Sequence, residues 1–247
     1  MSEEDPTVLL VHGAFTDASS WAAVTDRLQQ ASVRVQALAN PLRGLSSDGE
    51  YVASVARQVP GPVVLVGHSY GGPVITYAGT RADNVRALVF VASFGLNEGQ
   101  TINDSTRLYP APRLAESLEL RQYPSEPAPA PELYILEERF ADVFAADLPQ
   151  DRRAALSVSQ RPVAAAAFDQ PLFGTPGWKT LPSWFMVTTQ DQAIHPEAQQ
   201  AAAKLMNSVT SEVAASHAVT LSQPDTVTVF ILKALAALSA SAGSRTL

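Results

Sequence analysis

The chain has 247 residues, 46 % of them hydrophobic and 17 % charged, with 17 basic against 24 acidic groups and a net charge of −7. That length suits one large α/β domain or two small ones. The composition is that of a globular core, and the absence of any basic block argues against a nucleic-acid partner. The absence of cysteine removes disulfides, thiolate metal sites and a cysteine nucleophile together.

The chain opens on Met1-Ser2-Glu3-Glu4-Asp5-Pro6, acidic and without an apolar signal core, and no apolar run is long enough to span a bilayer. A cytoplasmic protein without a membrane partner is expected. Thr7–Val11 is a β-branched and leucine run ending in His12-Gly13, which reads as a buried strand and a turn. Asp17–Gln30 reads as a helix with Asp17, Ser19 or Ser20 as cap. Strands follow at Val33–Leu38, Pro62–Val66 and Val85–Val91, with helices at Gly49–Gln58 and Pro73–Thr80 between them. This alternation implies a mostly parallel sheet of about six strands with helices on both faces.

From Asn97 to Thr180 the rhythm stops. Ten prolines from Pro110 to Pro176 punctuate helical patterns at Arg113–Arg121, Glu132–Ala146 and Pro149–Phe168. The aromatic content of this stretch argues against a disordered linker. It reads as a helical cap over 97–180, inserted into a core formed by 1–96 and 181–247. The rhythm then resumes with strands at Ser183–Thr189 and Ser211–Ala215 and helices at Pro196–Asn207 and Ser222–Leu238.

Gly67-His68-Ser69-Tyr70-Gly71 fits G-x-S-x-G directly between a strand and a helix. That context places a serine hydroxyl on a tight turn above the sheet, with glycines where a Cβ would strike backbone. A serine needs a general base. Four histidines exist, and His217 at the end of the last strand is favoured over His195, since ligands of open α/β sheets bind at the C-terminal strand ends. Asp191, ending the preceding strand, is the expected orienting carboxylate, with Glu98 and Asp169 as weaker candidates. The tetrahedral oxyanion needs two donors. Tyr70 N–H is one, and Ala14 N–H the other, with Phe15 N–H as the alternative.

Together, His12-Gly13-Ala14-Phe15, the Gly67–Gly72 turn, Asp191 before Ile194-His195-Pro196, and His217 before Ser222-Gln223-Pro224 resemble the α/β-hydrolase superfamily. Pro182-Ser183-Trp184 and Ala214–Ser222 resemble the branch of plant methylesterases, hydroxynitrile lyases and bacterial esterase C-like hydrolases. The resemblance implies an α/β-hydrolase fold, a catalytic triad, no cofactor, and a helical cap over an apolar pocket. Hydroxynitrile lyases of the branch carry threonine and lysine where this chain has Gly13 and Ala218, so ester or lactone hydrolysis is expected over cyanohydrin cleavage. A cofactor-free lyase or perhydrolase, and a ligand-binding receptor that keeps the triad, are the alternatives. Phe15, Phe94, Tyr134, Phe144 and Phe168 are candidates to line a pocket for a small neutral ester. No histidine pattern suggests a metal, and no glycine-rich dinucleotide fingerprint follows the first strand.

Overall fold

The computed structural model describes residues 5–243, with side chains through 240. Residues 1–4, part of the acidic opening read above for the absence of a signal core, lie outside that range. In chain order the strands are β1 (Thr7–Val11), β2 (Val35–Leu38), β3 (Val63–His68), β4 (Val85–Val91), β5 (Leu118–Tyr123), β6 (Ala130–Ile135), β7 (Val163–Ala164), β8 (Ser183–Thr188) and β9 (Val209–Val213). The helices are α1 (Ala22–Gln30), α2 (Leu45–Gln58), α3 (Gly71–Ala78), α4 (Ile102–Thr106), α5 (Glu137–Phe144), α6 (Gln150–Val158), α7 (Ala166–Asp169), α8 (Pro196–Leu205), α9 (Val219–Ser222) and α10 (Pro224–Gly243).

Six strands form one parallel sheet in the order β2-β1-β3-β4-β8-β9. Its central strands are buried on both faces, which is why they read as unbroken apolar runs. Side-chain alternation splits them between two cores. Val8, Leu10, Val64, Val66, Val89 and Val91 pack under Trp21, Val24 and Leu28 of the α1 region and Val227, Ile231 and Ala234 of α10. Leu9, Val11, Leu65, Leu88 and Phe90 pack on the other face with Val52 and Ala53 of α2 and Val74 and Ile75 of α3. The α2–α3 approach is close, since a Cβ on Gly49 would fall 2.3 Å from the Tyr77 ring.

α2 begins four residues before the expected Gly49. Buried Asp48 accepts the N–H groups of Arg43 (3.1 Å) and Gly44 (3.4 Å), and so closes the N-terminus of the helix from inside its first turn.

The stretch between β4 and β8 departs further from expectation. Arg113–Arg121 is not a helix but a 3₁₀ turn at Arg113–Glu116 leading into β5. Glu132–Ala146 divides into the end of β6 and α5, and Pro149–Phe168 into α6, β7 and the start of α7. β5, β6 and β7 form a separate antiparallel sheet. Leu118-Glu119-Leu120-Arg121 alternates with period two, and pairing sets Leu118 against Ile135 and Leu120 against Leu133. One side of the hairpin is thereby apolar and the other carries Glu119, Arg121, Glu132 and Tyr134. Among the described residues no helix is long and apolar enough to cross a membrane.

Candidate active site

β3 ends at His68 and α3 starts at Gly71, leaving Ser69 and Tyr70 to make the turn. Ser69 has φ 53°, a left-handed conformation that costs an L-residue about 1–2 kcal/mol. Its surroundings hold it there. Ser69 N–H donates to the Val91 carbonyl (3.0 Å), while the Ser69 carbonyl accepts from Gly72 N–H (2.9 Å) and from Ser93 Oγ (2.7 Å). The flanking glycines are sterically required, because a Cβ on Gly67 would lie 2.5 Å from the Gly71 carbonyl oxygen and one on Gly71 2.4 Å from that of Val11. Ser69 is 7 % exposed, and its Oγ makes no hydrogen bond among the described residues.

Asp191 follows β8 and is buried. Its Oδ2 lies 2.7 Å from His217 Nδ1 and accepts from Thr188 Oγ1 (2.8 Å) and Gln199 Nε2 (2.9 Å). Its Oδ1 accepts the N–H groups of Ala193 (2.8 Å) and Ile194 (2.9 Å). Burial pushes this carboxyl up, but the His217 charge and the hydrogen bonds from His217, Ile194 and Thr188 outweigh it and hold the group below the usual carboxylate range. An ionised carboxylate only accepts, so the proton of this bond resides on Nδ1 and Nε2 is left as the basic nitrogen.

The other histidines are engaged elsewhere. His12 Nδ1 donates to the Gly13 carbonyl (2.9 Å) and its Nε2 accepts from Asn40 N–H (3.0 Å); burial lowers its pKa to about 4. His68 Nε2 donates to the His217 carbonyl (2.9 Å), its ring lies 4.8 Å from that of His217, and burial lowers its pKa to about 3. His195 caps α8, accepting from Glu197 N–H (3.3 Å). Of the carboxylates considered beside Asp191, Glu98 is exposed and Asp169 accepts from Asn103 (2.7 Å). Among the described residues no three His, Cys, Asp or Glu side chains gather as metal ligands would.

Two main-chain donors near the turn, the N–H groups of Ala14 and Tyr70, have no partner among the described residues, whereas Phe15 N–H is taken by the Arg161 carbonyl (3.0 Å). Gly13 is pressed against the serine: a Cβ there would lie 2.6 Å from Ser69 Cβ and 3.2 Å from Oγ. The Tyr70 side chain points the other way, its hydroxyl donating to Asp48 Oδ2 (2.8 Å). Burial raises the Asp48 carboxyl despite that bond.

Phe144 meets His217 edge-on (4.9 Å between centroids), Phe15 at 6.4 Å and Phe140 at 5.1 Å, while Phe168 lies 6.1 Å from Tyr70. Phe94 lines a neighbouring cleft of about 640 Å³ with Ser93, Tyr109 and Ile194. Tyr134 is not in this group. It sits on the polar side of the β5–β6 hairpin, under the Arg121 guanidinium (4.4 Å), with its hydroxyl donating to Glu132 (3.3 Å). Sequence reasoning also missed Ser93 and Gln199, whose partners lie far along the chain or across a turn and leave no local signature.

The alpha/beta hydrolase family model matches residues 8–229, spanning the serine turn, Asp191 and His217. The chain belongs to the alpha/beta hydrolase family. Solved structures that share the fold of this hydrolase include polyneuridine aldehyde esterase, with TM-score 0.79 and 18 % identity over 96 % of this chain and 100 % of that one. A pyrethroid hydrolase from Sphingobium faniae JZ-2 matches with TM-score 0.77 and 19 % identity over 94 % of this chain and 98 % of that one. A methylesterase from Arabidopsis matches with TM-score 0.77 and 18 % identity over 94 % and 99 %. No curated protein matches this hydrolase in sequence.

Proposed function

We propose that this alpha/beta hydrolase is a serine carboxylesterase acting on small, neutral, apolar or aromatic esters or lactones, with Ser69, His217 and Asp191 as its triad. The observation that carries the reading is the buried 2.7 Å His217–Asp191 pair, joined through the His68–His217 contact to a serine turn with two unpartnered N–H groups. His217 Nε2 takes the Ser69 proton as Oγ bonds to the ester carbonyl carbon. The N–H groups of Ala14 and Tyr70 receive the oxyanion. The tetrahedral intermediate collapses, the carbon–alkoxide bond breaks, and His217 returns the proton to the alcohol. Water, deprotonated by His217, then releases the acid and restores Ser69. Phe15, Phe144 and Phe168 line the acyl or alcohol side, and the 97–180 stretch acts as the cap above them. The esterase and hydrolase names of the fold relatives agree with this reading.

The test is p-nitrophenolate release from acetate, butyrate and octanoate esters by wild type and Ser69→Ala. Turnover that falls by several orders of magnitude in the variant is expected, on the order of 10⁶ in the best-studied serine hydrolase. Activity that survives the substitution rejects Ser69. A burst without turnover rejects the esterase in favour of a triad-bearing receptor.

A further inference from the structure

His217 stands on a loop beyond β9, an edge strand whose first four residues are exposed. An edge strand alone is a poor mount for a base that must meet Oγ within a fraction of an ångström. The main chain on both sides of His217 is instead tied to the end of α5 and the residues after it. Ser216 N–H donates to Asp147 Oδ2 (3.0 Å), and Ser216 Oγ donates to Asp147 Oδ1. Ala218 N–H donates to the Phe144 carbonyl (2.9 Å), while the Phe144 ring meets the imidazole itself. Ser216, His217 and Ala218 are thus held by residues 144–147, within the stretch assigned above to the cap.

We propose that Asp147 is a positioning residue for His217, and that seating of the cap is what aligns the base. This rests on the triad reading above. Asp147 is an acid with one face to solvent, yet both of its oxygens are spent on one serine adjacent to the base. Its carboxylate fixes the Ala215–Ser216 peptide and the Ser216 side chain, one residue before His217, while the His68 imidazole holds the peptide leaving His217. Any cap movement that admits substrate past Phe144 pulls on the same residues.

Asp147→Ala and Asp147→Asn decide this, measured beside wild type. The expected result for alanine is a 10- to 100-fold loss of kcat for p-nitrophenyl butyrate, with KM within about twofold and an almost unchanged Tm. Asparagine, which can still accept from Ser216 N–H, should recover much of the loss. Independently of any substrate, the downfield proton resonance of the His217 Nδ1–Asp191 hydrogen bond should be sharp in wild type and broadened in Asp147→Ala. Unchanged kcat, a change confined to KM, or equal losses in both variants tracking a fall in Tm would overturn the proposal. If wild type hydrolyses no ester, the esterase reading fails, and the resonance still decides on Asp147: unaltered line width in alanine rejects it and broadening upholds it.

Discussion

Two buried imidazoles should make this protein sensitive to mild acid. His12 and His68 titrate near 6.5 in an unfolded chain, but burial lowers them to about 4 and about 3 in the fold. Between those values the unfolded chain binds protons that the folded chain refuses. Stability conferred by keeping these rings neutral is therefore complete above the unfolded pKa and declines as pH falls below about 6.5. At pH 5 the loss relative to pH 8 is about 2 kcal/mol for each ring and about 4 kcal/mol for the pair. A domain of ordinary stability has about 5–15 kcal/mol in all, so the effect is large. Asp48 acts in the opposite sense, because a raised carboxyl favours the fold as pH falls, and so trims the loss at the acid end. Asp191 is held below the usual range, so its own contribution persists until the pH drops beneath that range. The assay is urea unfolding followed by circular dichroism at pH 8, 7, 6 and 5, with a constant m-value as the check on two-state behaviour. His12→Gln and His68→Gln should each be less stable at pH 8 yet flatter, losing roughly half of the pH slope. Wild type and both variants sharing one slope would refute the reasoning, since the rings would then be accepting protons within the fold.

Two substitutions at the serine turn give sharper outcomes. Gly13→Thr places a branched side chain where a Cβ already meets Ser69 Cβ at 2.6 Å, so ester turnover should fall by at least about 100-fold while the far-ultraviolet spectrum is unchanged. Tyr70→Phe keeps the main-chain N–H but leaves buried Asp48 short of one donor; unfolding should show a loss of about 1–3 kcal/mol, with kcat reduced far less than in Gly13→Thr.

Much of the fold is visible in the sequence because its strands are buried on both faces. β1 and β4 carry continuous apolar runs and need no alternation to be recognised. The serine turn is equally legible, since steric demand fixes glycine at 67 and 71. The stretch between β4 and β8 is obscure for a physical reason. Leu118-Glu119-Leu120-Arg121 and Leu133-Tyr134-Ile135 are short, half-exposed strands whose identity depends on each other. Taken alone, their leucines and aromatics suit a helix as well. The chemistry of Tyr134 suits a pocket, but strand register sets it on the polar side of the hairpin with Arg121 and Glu132. Asp48, Asp147, Ser93 and Gln199 are a different case: each is an ordinary polar residue until folding supplies a partner.

The connection from β4 to β8 also bears on how the protein reaches its native state. These strands are neighbours inside the parallel sheet, yet the whole stretch from Ala92 to Pro182 separates them. Ser69 belongs to the N-terminal half and Asp191 and His217 to the other, so the site cannot exist until this long loop has closed. Such closure has a high entropic cost and makes non-local pairing slow. A chain emerging from the ribosome would present the complete β1–β4 unit, with Val89 and Val91 still uncovered, well before its last strands appear. The candidate site is therefore among the last features this protein assembles, and the unpaired side of β4 is the surface it must protect while waiting.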